Sequence, residues 1–269
     1  MDAWRSKGHD GIGITVSTDL PLVRRLEAMA LRAWPARDVL YDGAWQLRLT
    51  AGHPSKRLNS ITVLDLSDIS DIEIRFEKAS RRYEAFGRPV TVRETPLTPP
   101  ALLDFLKDNG AAPFDETIVM TLNLQGFEPH NAIERLPSQD VGRFVETSLA
   151  LNPAEGLTKA GLAEVVTAIK PAHGFFISQT DDRNPLAAGL CVHDFDMAGI
   201  EALAVAENAR RAGHGRSLTG SMLRWAKTRG ARTAWLQVTA NNEAALKLYE
   251  SFGFKEAYRY RYWRQKREQ

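Results

Sequence analysis

Residues 210 to 217 read Arg-Arg-Ala-Gly-His-Gly-Arg-Ser, three guanidinium groups around two glycines, with an apolar rhythm at helical spacing beyond them. A helix start carries unpaired backbone N–H groups and the positive end of the helix dipole, so it favours an anion. Gly213 and Gly215 permit backbone angles closed to other residues and let the main chain approach a ligand closely. The stretch fits a loop that grips phosphate. It also fits an ordinary glycine turn with solvated arginines, and these residues alone leave both readings open. Nearby, Glu201 stands four residues before Val205 in a strand-like run, a spacing that predicts both side chains on one face. Tyr249 lies on the stripe Ala245, Leu248, Tyr249, Phe252, where its hydroxyl is either a core group or a proton donor. Asn242 stands where a helix cap is expected.

The elements that position these residues follow from periodicity. Leu20 to Trp34 is helical and stopped by Pro35; strands are predicted at Trp45–Thr50 and Ser60–Leu66. Residues 69–86 read as helix, Pro89–Glu94 as extended, Pro100–Asn109 as helix and Thr117–Leu124 as strand. The polar stretch Gln125–Asn131 marks a boundary between two halves, residues 1–130 and 131–269. Beyond it, helices are predicted at 138–150, 158–169 and 216–229, and Glu243–Phe252. Strands are predicted at 174–179, 187–193 and 199–206, then Ala234–Thr239 and Tyr258–Trp263. The segments GRPVTVRETPLTPPALLDFLKDNG and GARTAWLQVTANNEAALKLYESFG run strand, helix, glycine without a gap, so the halves read as two copies of one unit.

Bulk properties narrow the class. The chain has 269 residues, 43% of them hydrophobic, enough for a sizeable core. A formal net charge of +2 excludes any bulk demand for nucleic acid or a membrane surface. A single cysteine, Cys191, reads as a small buried apolar residue; with six scattered histidines, no disulfide framework or metal site is expected, and a reducing cytoplasm is the expected home. The opening MDAWRSKGHDG lacks the apolar stretch of a signal peptide, and no run approaches the ~18 apolar residues of a membrane span. The aromatic–basic alternation YRYRYWRQKR is explained by strand period two, with Tyr258, Tyr260 and Tyr262 on one face.

An apolar strand, the pattern Arg-x-x-Gly-x-Gly from Arg210 to Gly215, a helix, a second strand and then NEAALKLYESFGF resemble, in that order and spacing, the GNAT superfamily of N-acetyltransferases. The resemblance covers roughly residues 137–264. It implies an α/β (α+β) fold of two tandem acetyltransferase-like mixed sheets flanked by helices, with acetyl-CoA as co-substrate and no metal. Its pyrophosphate would lie on backbone from Arg211 to Ser217, through Ala212, Gly213, His214, Gly215 and Arg216, with Arg210 adding charge and Asn242 contacting the cofactor. Backbone at Leu203 and Val205 would align the pantetheine arm. Tyr249 would protonate the departing thiolate, and Glu201 is the best candidate for the base or for holding a water, since Gln237 on the next strand cannot act as one.

The acceptor expected from this resemblance is a small-molecule or peptide amine that attacks the thioester directly in a ternary complex, in a monomer or homodimer, with no nucleic acid and no membrane. The alternatives are a non-catalytic CoA-binding regulatory module and a transferase of a longer acyl or aminoacyl group. In the first half, the gap-free repeat sets Leu106 at the place of Tyr249, and Ser70 and Ile72 at those of Gly213 and Gly215. That half is expected to be a degenerate copy without the phosphate loop or the acid. Trp45, Arg48, Arg57 and Asn59 read as ordinary strand and surface residues, with a place beside the acceptor cleft as the other possibility.

Overall fold

Asp19 caps the first helix, α1 (Leu20–Ala33), by accepting from the Leu22 amide at 3.0 Å, and the helix ends just before Pro35. From that cap onward, the computed structural model describes residues 19–128 and 135–265. The opening MDAWRSKGHDG, the end of the expected boundary segment (residues 129–131) and the last two residues of YRYRYWRQKR lie outside the described residues.

The first half continues with β1 (Asp38–Asp42), β2 (Trp45–Leu49), β3 (Ile61–Val63), α2 (Ile72–Ala85), β4 (Val92–Glu94), α3 (Pro100–Asp108) and β5 (Ala111–Asn123). The second comprises α4 (Val141–Leu151), α5 (Lys159–Thr167), β6 (Ala172–Gln179), β7 (Pro185–Asp194), β8 (Met197–Val205), α6 (His214–Thr228), β9 (Thr233–Thr239), α7 (Glu243–Glu250) and β10 (Lys255–Gln265). Strand β1 escapes sequence reading because its residues are mostly exposed and show no apolar alternation. It forms by antiparallel pairing with β2.

Both halves build three antiparallel strands and then a parallel one: β1-β2-β3 with β4, and β6-β7-β8 with β9. Gly87, Gly110, Gly230 and Gly253 follow the ends of α2, α3, α6 and α7, all with φ between 71° and 92°. This left-handed conformation closes a helix at little cost only for glycine, which accounts for the recurrence of these residues in the two segments.

The two expected sheets are one. The strand order is β1-β2-β3-β4-β10-β5-β9-β8-β7-β6. Strand β10 pairs antiparallel with β4 and β5, and β5 with β10 and β9, so the last strand of each half lies inside the sheet of the other. Every edge of these two long strands is thereby paired, as buried backbone requires. Sequence periodicity records which face of a strand is buried, not which edge it joins, so nothing in it could correct the two sheets that the family resemblance implied.

Helices cover both faces. Trp45, Leu47 and Leu49 pack with α2 and α3, while Leu218, Met222, Leu236 and Tyr249 form a second cluster with α6 and α7. The opposite face carries α1, α4 and α5 over Trp235, Tyr258, Tyr260 and Tyr262. There, α1 is tied to the sheet by a fully buried ion pair. Glu27 accepts from Arg93 Nη2 at 2.9 Å, from Arg93 Nη1 and, at 2.5 Å, from the Tyr258 hydroxyl. Removing either charge would strand the other in the core, at a cost of about 3–5 kcal/mol. No helix among the described residues is long and apolar enough to cross a membrane.

Candidate active site

Strands β8 and β9 begin as parallel neighbours and then part. Their pairing runs from Met197↔Thr233 to Ile200↔Leu236 and ends there. On its other side β8 stays paired to β7, but the register slips between Leu190↔Glu201 and Ala188↔Ala204. The extra residue is accommodated with Ala202 at φ 51°, a conformation uncommon outside glycine. Beyond Ile200, the backbone of residues 201–205, including Leu203 and Val205, has no strand beside it on the β9 side. The result is an open notch between two strands.

The bulge also corrects the expectation that Glu201 and Val205 share a face. One added residue breaks the period-two alternation. Glu201 points to the α1 face, where it meets Arg57; Val205 packs on the α6 side, 3.5 Å from the position a Cβ on Gly215 would take.

Helix α6 starts at the mouth of the notch. Gly213, at its N-cap, has φ 86° and offers no side-chain cap, so the first-turn amides are left for a ligand. A Cβ on Gly213 would meet nothing within 4 Å, and the Ser217 hydroxyl is buried without a partner among the described residues. Arg210, Arg211 and Arg216 are exposed around this turn, with Arg211 itself at φ 64° and Arg216 bonded to Ser251 Oγ at 2.7 Å. Half-buried His214 and exposed Ala212 complete the loop. An open glycine cradle, uncapped amides, an orphan hydroxyl and three cations fit a phosphate-bearing cofactor. Asn242 caps α7 by accepting from the Ala245 amide at 3.1 Å.

From α7, Tyr249 reaches the notch on the α6 side. It is 7% exposed, packed edge-on to Phe254, and its hydroxyl makes no hydrogen bond among the described residues. Burial pushes its phenol up to about 12, with the nearby Glu201 charge adding to the effect. It therefore stays protonated at working pH and is available as a proton donor. Cys191 is buried, with its thiol pushed up by burial alone, and among the described residues its hydrogen-bond partner is the Met222 carbonyl, not a base.

Glu201 is not free. Both of its oxygens accept from Arg57, at 3.0 and 2.9 Å, in a fork-to-carboxylate pair that only 4% of Glu201 leaves exposed. Arg57 also reaches Gln237 Oε1 at 3.4 Å, which accepts from the Tyr260 hydroxyl at 2.8 Å, and its guanidinium lies 5.6 Å from the Trp34 ring centre. The residues read as ordinary strand and surface positions thus divide. Arg48 and Arg57 line a cleft beside the notch. Trp45 packs on the opposite face, and Asn59 braces the loop carrying Arg57, bonding Thr50 N, His53 O and Ser55 O. A pattern of arginines near two strands could have flagged the cleft, but the bridge across 144 residues to Glu201 had no local signal.

A family model described as probable histone acetyltransferase Rv0428c C-terminal matches residues 22–263, nearly the whole described chain. The chain belongs to this acetyltransferase family. It is 26% identical over 238 residues to the uncharacterized N-acetyltransferase YobR of Bacillus subtilis, covering 86% of this chain and 94% of that protein. Over 62 residues it is 44% identical to the [ribosomal protein bS18]-alanine N-acetyltransferase of Escherichia coli, covering 23% of this chain and 42% of that enzyme. In fold it is similar to a GCN5-related N-acetyltransferase from Kribbella flavida, with TM-score 0.64 and 13% identity over 93% of this chain and 96% of that one. A tandem GNAT protein from the clavulanic acid biosynthesis pathway is similar at TM-score 0.62 and 13% identity, over 91% and 86%. The fold is the GNAT acetyltransferase fold, and as a member of this family the chain is an acetyltransferase enzyme.

Proposed function

We propose that this Rv0428c-family member transfers an acetyl group from acetyl-CoA to an amine, by direct attack in a ternary complex. The observation that carries the reading is the notch between β8 and β9, with an uncapped, glycine-lined helix start at its mouth and a partnerless tyrosine beside it. When bound, acetyl-CoA supplies a thioester whose carbonyl carbon the amine attacks and whose thiolate departs. The first turn of α6, from Arg211 to Ser217, holds its pyrophosphate with Arg210 and Arg216 alongside. Unpaired backbone at Leu203 and Val205 orients the arm that runs down the notch and polarises the carbonyl. Tyr249 delivers its proton to the departing sulfur. Because Arg57 already engages both oxygens of Glu201, that carboxylate serves to hold a water through which the amine's proton leaves.

The first half is proposed to be a scaffold that kept the fold and lost the cofactor site. Helix α2 also starts from a left-handed residue, but the residue is Asp71, not glycine, and its carboxylate opposes an anion. The gap-free repeat had put Ser70 there. Leu106 is a buried core residue and offers no proton. The boundary between residues 130 and 131 divides the chain into these two roles. The deciding experiment is a screen of primary amines for acetyl-CoA-dependent thiol release. Turnover with at least one amine is expected, and acetyl-CoA binding without turnover across the panel would favour a non-catalytic module.

A further inference from the structure

Beside the notch, on the α1 face of the sheet, lies a small cavity of about 10 Å³, room for one water-sized atom, lined by Trp34, Arg48, Arg57, Thr62, Arg93 and Gln237 with Ala30 and Leu31 of α1. Arg57 and Gln237 connect it to Glu201. Three guanidinium groups enter this wall, and each carboxylate that answers them is already engaged. Arg93 is held by Glu27 and Arg57 by Glu201. Arg48 has no carboxylate among the described residues. It is 3% exposed, its Nη2 donates to Trp34 O at 2.5 Å, and its Nε has no partner.

A buried arginine whose charge is unanswered is costly, and buried donors are normally paired. The same wall contains three more buried side-chain atoms without partners among the described residues: Trp34 Nε1, Arg93 Nε and Gln237 Nε2. With Arg48 Nε, all four are donors. Burial, with Arg93 and then Arg57 nearby, pushes the Arg48 guanidinium down to about 10, as an excess of positive charge would.

We propose that this cavity takes one oxygen of an anionic group of the acceptor, a carboxylate or a phosphate lying at its mouth, held chiefly by Arg48 while the amine lies at the notch. The acceptor is therefore an amine that also carries an anion. This rests on the acetyltransferase reading above. Arg48 acts on which amine is taken, through charge and a forked pair of donors, and takes no part in the proton transfers.

The test uses the full chain and matched probes: ω-amino acids from glycine to 6-aminohexanoate, their amides, and ω-aminoalkyl phosphates. Wild type is expected to show kcat/KM for the best anionic amine on the order of 10-fold or more above its neutral counterpart, carried by KM. The carboxylate and phosphate arms separate the two sources of the anion. In Arg48→Gln that preference collapses to within about twofold, and Arg48→Lys retains part of it. Equal use of amides and anionic amines by the wild type, or a preference that survives in Arg48→Gln, overturns the proposal. Calorimetric titration with the same compounds separates this outcome from failure of the acetyltransferase reading. If no amine is acetylated, saturable binding of the anionic probes that Arg48→Gln abolishes still supports the site. Absence of such binding overturns it, as does equal binding of the amides. Should Arg48→Gln not fold, Arg48→Lys and the wild-type preference decide alone.

Discussion

Arg57 and Glu201 form a two-pronged ion pair, at 3.0 and 2.9 Å, between a loop of the first half and the bulged strand of the second. The candidate base of one half is thus positioned by the other. In Arg57→Met, Glu201 is left buried and unpaired, and both stability and kcat should fall. A double-mutant cycle with Glu201→Leu, read by urea unfolding, should give a coupling of about 1–3 kcal/mol, below the fully buried limit because the Arg57 side chain is 23% exposed. A coupling near zero would show that the pair contributes nothing to joining the halves.

Phosphate binding by the start of α6 predicts an asymmetric response at Gly215. A Cβ there would sit 3.4 Å from Leu248 Cδ2 and 3.5 Å from Val205 Cγ2, so small side chains fit. Gly215→Ala should fold normally, whereas Gly215→Glu should keep a native circular dichroism spectrum and lose acetyl-CoA binding by calorimetry. Undiminished affinity in Gly215→Glu excludes the loop as the phosphate site.

Tyr249→Phe removes only a hydroxyl that has no hydrogen-bond partner among the described residues, so the core should tolerate it. With Tyr249 as the acid, kcat should drop by about 10²-fold or more while acetyl-CoA affinity holds. Because its phenol lies near 12, wild-type kcat should show no loss from Tyr249 ionisation up to about pH 10. Wild-type turnover in the phenylalanine variant, with chemistry rate-limiting, would reduce Tyr249 to packing.

His53 couples acidity to the cleft. Its Nδ1 accepts from the Ser55 amide at 3.2 Å, and burial, then Arg57 and Arg88, lower its imidazole to about 4. The unfolded chain takes up that proton near pH 6.5, before the folded one does. Stability from this residue is therefore complete above pH 6.5 and is lost as pH falls towards 4. Urea unfolding at pH 7 and pH 4.5 should show wild type losing about 1–3 kcal/mol more than His53→Gln. Equal losses would mean that His53 is not the titrating group.

Strand exchange predicts that neither half stands alone. Residues 1–130 lack β10, and residues 131–269 lack β5, each an interior strand. Separately produced, the pieces should show no cooperative melt; refolded together, they should recover one. A sharp transition from the second piece alone would contradict this interdependence.

Much of the site was readable in the sequence because it rests on local chemistry. Glycines at 213 and 215, the apolar stripe through Tyr249 and the cap at Asn242 each depend on backbone angles or helix period within a few residues, and such preferences are written in order along the chain. The repeat was readable for the same reason, through the glycines that end α2, α3, α6 and α7. Tertiary structure alone decided the rest. Only pairing across the sheet placed β5 and β10 in each other's halves, because a strand's unpaired edge carries no side-chain signal. Only the bulge at Ala202 turned Glu201 from Val205's face towards Arg57. And only the long-range fold left Arg48, among the described residues, without the carboxylate that Arg57 and Arg93 each found, because the balance of buried charge belongs to residues distant in the chain and close in space.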